Sequence, residues 1–296
     1  MLNAFKLGNF EDEGVGTGVT VILSRLGATA GVSVRGRAPA TRETDLLKSE
    51  CSVDKINAVV LSGGSAFGLE AASGVSQYFH KKGLGFDAGG YRVPIVCGAS
   101  LYDLEYKTFG YPNMDMGLLA CEYAHGFSEM NGSVGAGAGA TVGKIFGMKC
   151  AAKSGLGVRC IKIGALEMAA VVVVNAFGNV YDPKTNAFLK GAVKNGAPVD
   201  IEKILINGVE ANINPFSGNT TIGCIVTNAK LSKTQCNKLA DSTHDAYARC
   251  IRPVHTDLDG DTIFVMSSGE TDCNLLGLQT LAVDLMTQAI LAAVGD

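Results

Sequence analysis

The longest uninterrupted apolar run in this chain, Met168 to Val174, is only seven residues long. It contains four consecutive valines, and β-branched residues favour extended strands. A membrane-spanning helix needs about 20 apolar residues, so this run is too short to cross a bilayer. The run is therefore predicted to be a strand buried inside a protein core.

Other segments extend this pattern without a regular strand–helix–strand repeat. Glycine-containing turns separate 18–23 from 30–34, which predicts a hairpin, and further short strands are predicted at 58–61, 158–163 and 262–266. Helices are predicted over 66–82, 116–124, 231–250 and 275–293, with Ser232 as an N-cap. Mixed strands and helices in this order predict an α+β fold. A length of 296 residues suits a single domain, 1–296.

Charge and cysteine content exclude several classes of function. The net charge of −3 and the scattered basic residues predict no binding of nucleic acid or of an anionic membrane. The N-terminus lacks a signal-peptide pattern, so we expect a cytoplasmic protein. The nine cysteines are dispersed and form no Cys-x-x-Cys pair, which argues against a disulfide framework and a zinc site. No metal or cofactor is expected.

The most suggestive local feature is Asn219-Thr220-Thr221, where a turn-rich loop over 212–219 leads into a β-branched run. If the peptide bond before Thr220 were cut, Thr220 would carry both a hydroxyl nucleophile and its own base, the new α-amine. An α-amine titrates at about 7.7–8.0, close to cellular pH. The alternative is that Thr220 and Thr221 are ordinary strand residues, because threonine is common in strands.

A glycine-rich segment ending at Lys144 resembles a phosphate-binding loop but lacks its chemistry. The first glycine of that motif is replaced by Ala138, and the hydroxyl residue that would hold magnesium is replaced by Ile145. Nucleotide binding is therefore not expected.

Asp257, Asp259 and Asp261 alternate in an acidic turn before a predicted strand. A calcium-binding EF-hand loop requires Gly and Glu where this chain has Thr262 and Ser268, so calcium binding is not expected. Carboxylates this close need a nearby cation to offset their charge, such as Lys144 or a new N-terminus. The four histidines show no paired spacing, and only His255 lies near this turn.

Several stretches, taken together and in order, resemble one family. They are 35–47, 61–69 (Leu-Ser-Gly-Gly-Ser-Ala-Phe-Gly-Leu), 93–96, 219–222 and 251–256, followed by Asp259-Gly260-Asp261. The chain resembles the self-processing peptidases that include L-aminopeptidase/D-esterase, the β-peptidyl aminopeptidases and the nylon-oligomer endohydrolase. The resemblance covers nearly the whole chain.

The resemblance implies a four-layer αββα sandwich like that of the N-terminal-nucleophile hydrolases, with the connectivity of the aminopeptidase/ornithine acetyltransferase group. It also implies self-cleavage between Asn219 and Thr220 into 1–219 and 220–296, and a homo-oligomer such as a tetramer. The residues that match family positions are Thr220 as nucleophile, Lys144 and Asn175 beside it, Asp259 and Asp261 as the acidic pair, and Tyr102 near the substrate. Asn175 ends the valine run, so its amide is a suitable oxyanion donor.

The expected activity is hydrolysis of small peptides, amides or amide oligomers through an acyl-enzyme. Two alternatives stay open: acyl transfer of the ornithine acetyltransferase type, and an unprocessed structural or binding protein. An aminopeptidase also needs a carboxylate for the substrate ammonium, and after the Val93-Pro94 strand no acid occurs before Asp103.

Overall fold

The structure, a computed structural model, describes residues 1–210 and 218–295. Most of the predicted turn-rich loop before Asn219 lies outside these residues. Five α-helices are described: α1 Ala71–Lys81, α2 Met114–Glu122, α3 Ile201–Asn207, α4 Lys233–Cys250 and α5 Leu275–Val294. Short 3-10 helices cover Asp45–Leu47, Ser65–Glu70 and Gly135–Gly137.

The described strands are β1 Phe5–Asp12, β2 Thr17–Val34, β3 Ala40–Arg42, β4 Lys55–Ser62, β5 Phe86–Ala88, β6 Tyr91–Val93, β7 Val96–Ser100, β8 Met130–Gly132, β9 Thr141–Val142, β10 Ala152–Lys153, β11 Leu156–Ile163, β12 Leu166–Asn175, β13 Asn179–Tyr181, β14 Phe188–Lys190, β15 Val193–Lys194, β16 Ala197–Pro198, β17 Thr220–Ala229, β18 Ile251–Arg252 and β19 Thr262–Thr271. Ten of them form one hydrogen-bonded network in the order β3-β7-β4-β2-β19-β17-β12-β11-β8, with β1 paired to β2.

Three apolar cores show how this network folds into layers. One core lies between α1, α2 and one face of β2 and β4, and includes Val21, Val60 and Phe79. A second contains side chains of β2, β4 and β7 together with those of β12, β17 and β19, so the two halves of the network pack face to face. A third lies between α4, α5 and the outer face of β12 and β17. This arrangement is an α+β sandwich, as predicted.

The predicted hairpin over 18–34 is wrong, because the structure has one 18-residue strand, β2, across this segment. Its pairing with β4 shifts register between Leu23 and Ala28, and Gly27 has φ +77°. The glycine therefore marks an irregularity in a continuing strand instead of a chain reversal. The first half of β2 pairs with β1 and β4, and its second half pairs with β19. This strand thus joins the two halves of the sandwich.

The predicted helix over 66–82 is also altered, since its first turn is the 3-10 segment Ser65–Glu70 and α1 begins at Ala71. Helix α4 begins as expected, with Ser232 and Gln235 forming a reciprocal capping box. Helix α5 is, by length and composition, apolar enough to cross a bilayer. Its buried face packs against α4, β11 and β12, so it also fits the role of a core helix.

Strand β17 is central and places its first residues at the candidate site. It pairs antiparallel with β12, which sets Thr220 opposite Asn175, and parallel with β19. Ahead of the parallel strands, Asn219 and Asp259 form an isolated bridge. The acidic turn therefore lies beside the Asn219–Thr220 peptide.

Candidate active site

Thr220 lies at a point where nearly every neighbouring polar group is buried, and it is itself only 4% exposed. In the continuous chain its hydroxyl donates a hydrogen bond to the carbonyl oxygen of Asn219, the residue before it. The same carbonyl oxygen accepts the backbone N–H of Gly260 at 3.0 Å. One peptide bond thus has a hydroxyl and a fixed backbone donor at its carbonyl group.

Gly260 is a site residue that our sequence analysis did not assign. A Cβ at this position would lie 2.8 Å from both the Thr220 Oγ1 and the Ala38 carbonyl oxygen. A side chain here would therefore crowd the hydroxyl. The sequence signal was the glycine between Asp259 and Asp261. Only the pairing of this turn with Asn219 shows that the Gly260 N–H donates to the Asn219 carbonyl.

Lys144 is buried beside this peptide, with 1% of its surface exposed. Its Nζ donates to Asn175 Oδ1 at 2.7 Å, to the Asn175 carbonyl at 3.2 Å and to the Gly218 carbonyl at 3.0 Å. Burial lowers the pKa of Lys144 to about 7, and the negative charge of Asp259 partly opposes this shift. The amine is therefore poised to exchange a proton near neutral pH.

Asn175 makes hydrogen bonds to both Lys144 and the backbone of Tyr102. Its Oδ1 accepts the N–H of Thr141 at 3.1 Å in addition to Lys144, and its Nδ2 donates to the Tyr102 carbonyl at 2.9 Å. These partners fix which way the amide faces. In the continuous chain, the Gly260 N–H and the Thr220 hydroxyl donate to the Asn219 carbonyl oxygen, whereas the Asn175 Nδ2 donates to the Tyr102 carbonyl.

Tyr102 lines a small cavity of about 160 Å³ that opens next to Thr220. The cavity is lined by Ala38, Ala40, Ser65, Ser100, Tyr102, Gly218, Asn219, Thr220 and Leu258. The expectation that Tyr102 lies near the substrate stays a prediction, and the structure shows that this residue shares a cavity wall with Thr220. Ser65, at φ +54°, and Ser100 add further hydroxyl groups to the wall.

The three aspartates of the acidic turn have separate environments. Asp257 is exposed and pairs with Arg37 at 2.9 Å, away from the site. Asp259 Oδ2 accepts the N–H and the hydroxyl of Thr256 at 2.8 and 2.7 Å. Burial and then the negative charge of Asp261 raise the pKa of Asp259 to about 6. Asp261 Oδ1 accepts the Thr221 N–H at 2.7 Å.

Asp103, the first acid after the Val93-Pro94 strand, is directed into the protein. It accepts the Thr17 hydroxyl at 2.7 Å and the Gly64 N–H at 2.6 Å. Burial raises its pKa to about 6. This carboxylate anchors the loop that carries Tyr102, and its hydrogen bonds leave it badly placed to bind a substrate ammonium. Within residues 1–210 and 218–295, no cluster of three His, Cys, Asp or Glu side chains is suited to a metal ion.

Similarity to known proteins defines the class of this site. A model of peptidase family S58 matches residues 4–295. A Mycobacterium tuberculosis protein described as an uncharacterized aminopeptidase is 40% identical over 262 residues, covering 85% of this chain and 73% of its own. The 6-aminohexanoate-oligomer endohydrolase of an Agromyces species is 30% identical over 297 residues, covering 94% of this chain and 80% of its own.

Solved structures show the same fold at low sequence identity. A Burkholderia β-aminopeptidase superposes with a TM-score of 0.71 at 16% identity, covering 99% of this chain and 84% of its own. The L-aminopeptidase/D-Ala-esterase/amidase of Ochrobactrum anthropi, described as a variant of the N-terminal-nucleophile hydrolase fold, gives a TM-score of 0.67 at 15% identity, with the same coverage. The fold and the sequence relatives define a hydrolase of peptide or amide bonds. The chain belongs to peptidase family S58.

Proposed function

We propose that this hydrolase is a self-processing enzyme that cuts itself between Asn219 and Thr220 and then uses Thr220 as an N-terminal nucleophile. The proposal rests on one observation, that two polar groups contact the Asn219 carbonyl oxygen. The Thr220 hydroxyl contacts its oxygen, and the Gly260 N–H donates to that oxygen at 3.0 Å. A nucleophile and an oxyanion donor on one carbonyl are the two elements that acyl transfer requires.

In the self-cleavage step, Thr220 Oγ attacks the Asn219 carbonyl carbon, and the negative charge that develops on the oxygen is stabilised by Gly260. The C–N bond then breaks, the nitrogen takes up a proton to become the α-amine of Thr220, and an ester joins Asn219 to Oγ. Water hydrolyses this ester and frees the Asn219 carboxylate. Asp259, whose pKa is about 6, is our candidate to take up the hydroxyl proton.

In the second reaction the new α-amine acts as the base for its own hydroxyl, because an α-amine titrates near neutral pH. A substrate acyl group moves to Thr220 Oγ and is released by water. Asn175, paired opposite Thr220, and Lys144, which donates to the Gly218 carbonyl, would stabilise the developing negative charge. The small cavity and the relatives' names favour small peptides, amides or amide oligomers as substrates. The cytoplasmic location and the homo-oligomeric state stay predictions from sequence.

A time course of the purified chain on a denaturing gel tests the processing step. We expect the 296-residue band to give way to fragments of 219 and 77 residues, without any added protease. Because the reaction is intramolecular, its rate should not depend on protein concentration. A band that stays intact at neutral pH, or a rate that rises with concentration, would contradict self-processing.

The buried carboxyl of Asp259 makes a separate prediction about stability. Its pKa of about 6 lies above the ordinary value of an aspartate, so the folded protein disfavours the charged form. The fold thus favours the protonated form. The stability that this form contributes is lost as the pH rises through about 6. We expect Asp259→Asn to raise the melting temperature at pH 8 and to give little gain near pH 4.

This comparison is best made with Thr220→Val present in both proteins, so that neither chain carries the nucleophile. Asp257→Asn, at the exposed aspartate of the same turn, is the matched control and should change the melting temperature little at either pH. An equal loss of stability for Asp259→Asn at both pH values would show that the hydrogen bonds from Thr256 outweigh the cost of the charge.

A further inference from the structure

A buried polar cluster lies directly behind the strand that carries Thr220. Asp261 Oδ2 is 2.8 Å from Nδ1 of His255, and the other oxygen of the same carboxylate holds the Thr221 N–H. Asp261 is 1% exposed and the His255 side chain is 18% exposed. His255, which sequence analysis placed only near the acidic turn, is therefore the side chain that pairs with Asp261.

The backbone of His255 has φ +54°, in the left-handed region that non-glycine residues rarely adopt. The ring packs against His244, with centroids 4.9 Å apart, and stacks on Tyr247 at 6.2 Å. Burial lowers the pKa of His244 to about 4, so this neighbour is neutral near pH 7. A residue held in a rare conformation by its surroundings, with its ring nitrogen on a buried carboxylate, is typical of a site that needs one fixed geometry.

We propose that His255 is a positioning residue for Thr220. By donating from Nδ1 to Asp261 Oδ2, it holds the carboxylate in the rotamer in which Oδ1 accepts the Thr221 N–H. That bond fixes the peptide between Thr220 and Thr221, and with it the direction of the nucleophile. After cleavage Thr220 is a chain end, and chain ends fray unless they are tied down. This inference rests on the proposed self-processing function.

Two substitutions of nearly equal shape separate this role from simple packing. His255→Asn places an amide N–H where Nδ1 lies, and asparagine tolerates φ near +54°. His255→Asp has the same shape and the same backbone tolerance, but it brings a carboxylate against Asp261. Because the bond to a charged acceptor is lost, we expect the Asp variant to cut itself at least ~10-fold more slowly than the Asn variant at pH 7.

The test measures self-cleavage rates of the full chain by gel densitometry, with the melting temperature of each variant as a check on folding. The Asn variant should stay within about threefold of wild type, since it keeps the charge-assisted donor. The deficit of the Asp variant should shrink as the pH falls, because a protonated carboxyl can donate. His125→Asn, at an exposed histidine, is the matched control and should leave the rate unchanged.

His255→Gly, which accepts φ +54° without strain but donates nothing, should be as slow as the Asp variant and serves if that variant fails to fold. Equal rates for wild type and the Asn, Asp and Gly variants would overturn the inference and leave the proposed function standing. An Asn variant as slow as the Gly variant, with a wild-type melting temperature, would also overturn it. A wild-type chain that never cuts would instead refute the proposed function itself.

Discussion

Thr220→Val is expected to leave the protein as a single 296-residue chain and to abolish hydrolysis of amides. Valine keeps the shape and the strand preference of threonine but has no hydroxyl, so neither the self-cleavage nor the acyl-enzyme can form. Loss of a catalytic nucleophile costs on the order of 10⁶-fold in kcat in well-studied hydrolases, and we expect a loss of at least ~10⁴-fold here. A denaturing gel and an assay with amino-acid p-nitroanilides measure the two effects.

The next residue in the chain supplies the matched control. Thr221→Val deletes an adjacent buried hydroxyl for which no hydrogen-bond partner is found among the described residues. It should process itself at close to the wild-type rate, and Thr220→Ser should also retain processing because it keeps a hydroxyl. Normal cleavage in Thr220→Val, or equal losses in the two valine variants, would exclude Thr220 as the nucleophile.

Lys144→Met is expected to slow self-cleavage by roughly 10²- to 10³-fold, within the range by which a positioned proton-transfer group accelerates a reaction. Methionine matches the length of the lysine but cannot donate, so Asn175 Oδ1 and the Gly218 carbonyl lose a donor in a buried site. The rate is measured by the same gel assay. The melting temperature shows whether the variant is folded at the assay temperature. We expect a folded variant that cleaves itself slowly.

Lys153→Met is the matched control for this variant. Lys153 is also partly buried, its pKa is lowered to about 8 mainly by burial, and its Nζ donates to the Gly137 carbonyl at 2.8 Å. Within residues 1–210 and 218–295, no hydrogen bond joins Lys153 to Thr220, Asn175 or Gly218, so its removal should cost stability without a specific loss of processing. If both lysine variants slowed cleavage equally, Lys144 would have no special role.

The fold class, the family and the enzyme class could be predicted from sequence, because the motifs that carry the resemblance are spread in order along the chain. The family and fold are confirmed by the match over residues 4–295 and by the structural neighbours. The assignments of Thr220, Lys144, Asn175, Asp259, Asp261 and Tyr102 to catalysis or substrate binding stay predictions. The structure does bring five of them together as buried residues, and the half-buried Tyr102 lines the adjacent cavity with Thr220.

What the sequence did not predict depends on contacts between residues distant in the chain. The role of the Gly260 N–H follows from the parallel pairing of β17 with β19, which sets it against Asn219. Strand β2 continues past Gly27 because its second half pairs with the distant strand β19. The glycine alone predicts a chain reversal. The inward orientation of Asp103 depends on Thr17, 86 residues earlier. Local propensity contains no information about any of these three contacts.

The central claim is that the bond between Asn219 and Thr220 is cut by the chain itself. Intact-mass spectrometry of the incubated wild-type protein, combined with N-terminal sequencing of the smaller fragment, tests it directly. We expect a 77-residue fragment that begins Thr-Thr-Ile-Gly and is absent from Thr220→Val. An uncut chain, a fragment beginning at any other residue, or the same fragment from Thr220→Val would contradict the claim.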